Sequence, residues 1–175
     1  MISSPDNATV PPRVVRSGSE LLAIVRDARA GGQKVGLVPT MGALHAGHAS
    51  LVDRSAAECD LTVATIFVNP AQFGPGEDFG RYPRTLDADL SLLATHGAAV
   101  VFAPSREEMY GAEHSTYVDV QRVSERWEGA CRPRHFLGVA TVVLKLLNVV
   151  GPDVAVFLSV EPPVVVHERQ GALSI

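Results

Sequence analysis

Residues 61–68, Leu61-Thr-Val-Ala-Thr-Ile-Phe-Val68, form an almost unbroken apolar and β-branched run with no polar alternation. A strand of this kind has no solvated face, so it predicts the centre of a sheet covered on both sides. The surrounding pattern supplies the cover. Residues 20–30 carry apolar side chains at helical spacing after Ser19, a possible cap, and end at Gly31-Gly32. Residues 34–38 read as a short buried strand stopped by Pro39, and a glycine-bearing loop then leads into a helix over about 48–59. After the 61–68 strand come Asn69-Pro70, a long loop to Pro83, a helix over 85–96 with Leu86, Leu90 and Leu93 on one stripe, and a strand at 99–102. This strand–helix alternation predicts an α/β fold: a Rossmann-like parallel sheet with helices on both faces, and ligands beyond the carboxyl ends of its strands. Further on, the sequence predicts a helical turn at 106–110, a strand at 116–120, a helix over 136–150 ending at Gly151-Pro152, and a buried strand at 153–157.

Composition bounds the reading. With 175 residues, 46% apolar and 19% charged, the chain can bury one core and is not of the disordered class. Residues 1–18, rich in Ser, Pro, Asn and Thr, are expected to be a flexible leader. Residues 19–157 then form the Rossmann-like domain, and 158–175 a tail without helical period that Pro162-Pro163 interrupts. The net charge of −4 argues against a nucleic-acid partner. Cys59 and Cys131 stand far apart with no metal-ligand spacing, which points to reduced, buried thiols. The N-terminus lacks the order of a signal peptide, and Lys145 and Asn148 interrupt the longest apolar stretch, so no membrane association is expected and the cytoplasm is the expected compartment.

The chemistry concentrates in His45-Ala-Gly-His48, between a strand and a helix. A helix start offers free N–H groups and the positive end of the dipole, which suits a nucleotide's phosphates, and Gly47 permits close approach of the backbone. Two imidazoles three residues apart share one side of the first turn and can donate to phosphoryl oxygens. In isolation such histidines are more often packing or surface residues; their place after a strand and before a helix favours function. Asp87 and Asp89 read as helix-dipole partners in a first turn rather than metal ligands, and Lys145 as a solvated amine on an apolar helix.

The longer strings are more specific. Pro39-Thr-Met-Gly-Ala-Leu-His-Ala-Gly-His48, Ile66-Phe-Val-Asn-Pro-Ala-Gln-Phe-Gly74, Glu77-Asp-Phe-Gly-Arg-Tyr-Pro-Arg-Thr85, Phe102-Ala-Pro-Ser105, Glu108-Met-Tyr110 and Arg132-Pro-Arg-His-Phe-Leu-Gly-Val-Ala-Thr-Val-Val-Leu-Lys145 occur in one order. Over about residues 34–157 the chain closely resembles the pantothenate synthetase (pantoate–β-alanine ligase) family. That resemblance implies ATP-dependent condensation of (R)-pantoate with β-alanine through a pantoyl adenylate, with ATP as a substrate accompanied by Mg²⁺ and no dedicated protein metal site. It also implies a homodimer. The ATP motif falls on Met41, Gly42, Ala43, Leu44, His45, Ala46, Gly47 and His48, with His48 at the position of the general acid and His45 as its phosphate-binding companion. Gln72 matches the glutamine shared by pantoate and β-alanine, and Asn69, Tyr82, Arg132 and His135 are further pantoate/β-alanine candidates.

The resemblance breaks after Phe157, where the family has a lysine-containing motif and this chain reads Leu158-Ser-Val-Glu-Pro-Pro163; no lysine follows Lys145. The expectation is a truncated member, its C-terminal lid domain missing, and weakly active or inactive. One oxyanion-type donor is worth about 10²–10³ in rate. Two alternatives stay open: another nucleotidyltransferase using H-x-G-H, or a non-catalytic nucleotide-binding or dimerising remnant.

Overall fold

A computed structural model describes residues 10–122, 124, 128–157, 164–169 and 172–174. Five parallel strands form the frame: β1 (Arg13–Val15), β2 (Val35–Val38), β3 (Leu61–Thr65), β4 (Val100–Phe102) and β5 (Val154–Phe157), ordered β1-β4-β3-β2-β5. β2 is central, pairing with β3 through Val35↔Leu61 and with β5 through Gly36↔Val154, and all four of its residues are buried. Helices cover both faces, as the unalternating strands require. On one side α1 (Gly18–Ala30) and the long helix α6 (His135–Val150) bring Leu21, Val25, Val142, Leu146 and Val150 against Leu37, Val63 and Phe102. On the other, α2 (Ala46–Glu58) and α3 (Leu86–Thr95) bring Leu51, Val52 and Leu93 against Val38, Ala64, Val101 and Val156. Burying each such side chain stabilises the fold by about 1.5–3 kcal/mol. Two short helices, α4 (Arg106–Met109) and α5 (Glu128–Cys131), lie on the connections.

Several sequence expectations are corrected. The leader does not extend to residue 18: Arg13–Val15 pairs with β4 at the sheet edge, Val15 is fully buried, and Ser17 rather than Ser19 caps α1 through the N–H of Glu20. An apolar Val14-Val15 pair suffices for an edge strand even inside a Ser/Pro-rich segment. The third strand ends at Thr65, three residues short of the expected Val68, although the Ile66 and Phe67 N–H groups still donate to the carbonyls of Phe102 and Thr40. Residues 116–120 form no strand: the Val118 N–H donates to the Thr141 hydroxyl at 2.9 Å, where a neighbouring strand would have to lie. The tail adds to the sheet, with β6 (Val164–Arg169) antiparallel to β5 and β7 (Ala172–Ser174) antiparallel to β6. The parallel five-stranded frame thus carries two antiparallel strands at one edge. The expected break at Pro162-Pro163 and the first nine residues lie outside the described residues. The thiols are not buried as expected: Cys131, on the short α5, is exposed and Cys59, at the end of α2, is half-buried. Among the described residues no helix is long and apolar enough to cross a membrane.

Candidate functional site

The carboxyl ends of β2 and β3 are fastened together before the chain leaves the sheet. The Thr40 N–H donates to the Thr65 hydroxyl at 3.1 Å, and the Thr40 hydroxyl donates to the Thr65 carbonyl at 2.5 Å. From this staple the chain makes a left-handed turn, Gly42 at φ +83° and Ala43 at φ +53°. A carboxylate on α3 holds it: Asp89 accepts the Ala43 N–H at 3.0 Å, the Leu44 N–H at 2.8 Å and the Thr85 hydroxyl at 3.2 Å. Asp89 is 3% exposed, so it clamps the histidine-bearing loop as well as standing in a helix's first turn, which is all that its sequence position suggested.

The turn delivers His45 as the N-cap of α2. Its Nδ1 accepts the Gly47 N–H at 3.1 Å, and the Nδ1 of His48 accepts the His45 N–H at 3.4 Å, a reciprocal capping box built from two imidazoles. An Nδ1 that accepts leaves the proton of a neutral ring on Nε2. Both rings, 4.2 Å apart between centroids, therefore carry Nε2–H donors at a helix N-terminus. Burial lowers the His48 pKa from its ordinary 6.5, the nearby His45 lowers it further, and Asp89 opposes them. Near neutral pH His48 is an uncharged donor.

A second group of polar residues follows β3. The 3-10 turn Pro70–Gln72 is capped by Asn69, which is 1% exposed and saturated: Oδ1 accepts the Tyr110 hydroxyl at 2.7 Å and the Ala71 N–H at 3.2 Å, and Nδ2 donates to Gln72 Oε1 at 3.0 Å and the Gly138 carbonyl at 3.1 Å. Burial pushes the Tyr110 hydroxyl up to about 12, so it stays a donor. Gly138 lets α6 approach this turn: a Cβ there would lie 2.3 Å from the Ala71 carbonyl oxygen and 2.6 Å from the Gln72 nitrogen. Arg132 grips Glu77 with two bonds, Nε to Oε1 at 2.9 Å and Nη2 to Oε2 at 2.6 Å, and holds that carboxyl down at about 2. Arg132 also reaches the Gln72 carbonyl at 3.3 Å, and His135 Nδ1 donates to the same carbonyl at 2.9 Å. Gln72, Glu77, Arg132 and His135 line a cleft of about 190 Å³.

The structure brings Met41 and Gln72 together, Gln72 Nε2 lying 3.2 Å from the Met41 sulfur, so the amide group and the histidine loop meet at one contact. Asn69, Arg132 and His135 gather around Gln72. Tyr82 stands apart, edge-on to Phe73 at 6.3 Å between centroids, and burial raises its pKa. Three residues that hold this candidate site together were missed by sequence reasoning: Asp89, Glu77 and Tyr110. Only Asp89 carried a usable signal, since position 89 shares the apolar stripe of 86, 90 and 93.

Fold and site together define an α/β domain whose polar chemistry sits in loops beyond the carboxyl ends of central parallel strands. The model of the pantoate-β-alanine ligase family matches residues 13–159, and the chain belongs to that family. Among its relatives, the pantothenate synthetase of Acidobacterium capsulatum is 60% identical over 127 residues, covering 73% of this chain and 42% of the relative. That of Geobacter sulfurreducens is 51% identical over 145 residues, covering 83% and 51%. The crystal structure of pantothenate synthetase from Thermus thermophilus superposes with a TM-score of 0.77 at 49% identity, over 82% of this chain and half of that one. The pantoate-β-alanine ligase of Francisella tularensis, solved in complex with β-γ ATP and β-alanine, gives 0.75 at 38% identity, over 81% and 54%. The chain spans about half the length of the curated relatives it matches.

Proposed function

We propose that this chain condenses (R)-pantoate with β-alanine at the expense of ATP. The observation that carries the reading is the reciprocal imidazole cap, which presents two Nε2–H donors at the start of α2 beside the Met41–Gln72 contact. In the first step a pantoate carboxylate oxygen attacks the α-phosphorus, the bond to the β-phosphate's bridging oxygen breaks, and pyrophosphate leaves with pantoyl adenylate remaining. The α2 N-terminus, residues 41–48, His45 and His48 would hold the phosphates as charge moves onto the leaving group. In the second step the β-alanine nitrogen attacks the acyl carbon, the bond to AMP breaks, and the amine loses a proton. Gln72, an amide able to donate and accept, would orient both partners, with Tyr82, Arg132 and His135 beside it. Asn69, saturated inside the protein, would act by positioning Gln72. Mg²⁺ would ride on the nucleotide's phosphate oxygens; Asp89 does not suit a metal, because its oxygens already accept three bonds. The reading includes a cytoplasmic homodimer. It also includes slow turnover by these 175 residues alone, since the lysine that the family resemblance places after the last parallel strand has no counterpart here.

Isotope exchange between pyrophosphate and ATP tests this. Exchange that requires pantoate, slower than in full-length relatives and lost in His48→Ala, is the expected result. Exchange without pantoate would point to another nucleotidyltransferase, and none under any condition to a binding remnant; either overturns the reading.

A further inference from the structure

On the β3–β4–β1 side of the sheet, the carboxyl edge opens into a cleft of about 340 Å³ that His45, His48 and Gln72 do not line. Three arginines from separate parts of the chain border it: Arg16 just after β1, Arg84 in the loop before α3, and Arg106 at the start of α4. The floor is apolar, formed by Ile66, Val68, Leu86, Ala103 and Pro104.

What sets these three apart is the cleft they share: Arg26, Arg122 and Arg134 also lack a carboxylate pair among the described residues, but none of them lines it. Arg13, Arg29, Arg54, Arg81 and Arg132 each pair with a carboxylate. Arg16, Arg84 and Arg106 make no such pair among the described residues, although the chain carries nineteen acidic residues against fifteen Lys plus Arg. The carboxylates nearest in the chain or the cleft form no ion pair with them: Asp89 at the floor accepts two N–H groups and a hydroxyl, and Glu108 accepts the Gly18 N–H. Glu107, exposed next to Arg106, feels its charge without an ion pair, and Asp87 is exposed on α3. Three unpaired cations around one cavity repel one another unless an anion enters. Arg84 is already oriented, its guanidinium 5.9 Å above the Phe79 ring. The volume lies at the lower end of small-ligand sites.

We propose that this cleft is a binding site for a small carboxylate with a compact, branched apolar body: the head bonds the three guanidiniums and the body covers Ile66, Val68 and Leu86. Met41 and Gly42 form part of its wall, so an occupant would touch the histidine-bearing turn. The assignment does not depend on the ligase reading, and its test measures binding alone.

The full chain is titrated at pH 7 and low salt with 3-methylbutanoate, and separately with inorganic phosphate, by calorimetry and by methyl NMR. The expected result is saturable one-to-one binding of 3-methylbutanoate, with shifts at Ile66, Val68 and Leu86 and weaker binding of phosphate. Arg16→Gln, Arg84→Gln and Arg106→Gln should each weaken it about tenfold or more, as the loss of a charge-assisted bond does. Arg26→Gln, an exposed change on α1, should leave it unchanged. Because the three arginines are exposed, the variants should keep the parent's thermal midpoint, which is measured alongside. Absence of saturation below about 10 mM, shifts centred on His45 and His48, or indifference to the three substitutions would overturn the site. Equal affinity for phosphate would overturn the apolar half of the assignment.

Discussion

Asp89→Asn perturbs the site without touching either histidine. The amide keeps one acceptor oxygen but sets an NH₂ group where a carboxylate oxygen met the Ala43 or Leu44 N–H at 3.0 and 2.8 Å. With 3% exposure, water cannot take over the lost bond. Leaving one buried donor unsatisfied costs about 1–3 kcal/mol, which for a chain of this size lowers the thermal midpoint by about 2–12 °C. The turn at Gly42 and Ala43, both at positive φ, loses its clamp and relaxes. A displacement of about 1 Å in the imidazoles would slow pantoate-dependent exchange by around 10²-fold. A purely structural role would stop there. The Asp89 charge, however, also opposes the lowering of the His48 pKa, so its removal should drive that pKa further down. Calorimetric melting and ¹⁵N titration of the His48 ring measure both effects. A midpoint within about 2 °C of the parent together with an unmoved His48 titration would refute the clamp.

Three further outcomes are expected. Gly138→Ala places a methyl 2.3 Å from the Ala71 carbonyl oxygen, so helix and turn must separate; a loss of about 1–3 kcal/mol in chemical denaturation should accompany impaired use of pantoate, while ATP binding by titration changes little. Tyr110→Phe removes one of two donors to a buried oxygen that keeps the Ala71 N–H, and should cost about 1 kcal/mol in urea unfolding. Because the folded-state pKa of His48 lies below its ordinary 6.5, the unfolded chain binds its proton first as pH falls, so this residue's contribution to stability is complete above about 6.5 and diminishes below it. Midpoints measured from about pH 8 to 5 should show a decline that His48→Gln reduces.

Local pattern specified the strands and helices that form the platform, because uninterrupted apolar runs and helical stripes have one stable use in a layered α/β domain. It misjudged segments whose state depends on a neighbour. Residues 13–15 became a strand because β4 offered an edge, whereas residues 116–120, with better β propensity, found a threonine side chain on α6 where a strand would have to be. Residues 164–169 paired with β5 for the first reason. The histidines were legible because their chemistry depends on an adjacent helix start, a local matter. Asp89 and Glu77 were not, since each acts on a loop distant in sequence: 45 positions separate Asp89 from Leu44, and 55 separate Glu77 from Arg132.

The contrast between the two halves of the site has a mechanical consequence. The histidine half is bound to the sheet by the Thr40–Thr65 staple and to α3 by Asp89, all buried groups. The amide half hangs from α6 through Asn69 and Gly138 and from the connection before it through Arg132, and meets the histidine half through the amide–thioether contact of Gln72 with Met41. A thioether is a weak acceptor on a flexible side chain, so this junction yields before either clamp does. Substrates lying across it would feel a fixed phosphate-facing wall and an adjustable carboxylate- and hydroxyl-facing one. This division suits the proposed reaction, in which the nucleotide stays in place while a carboxylate oxygen attacks its α-phosphorus and an amine then attacks the acyl carbon so activated.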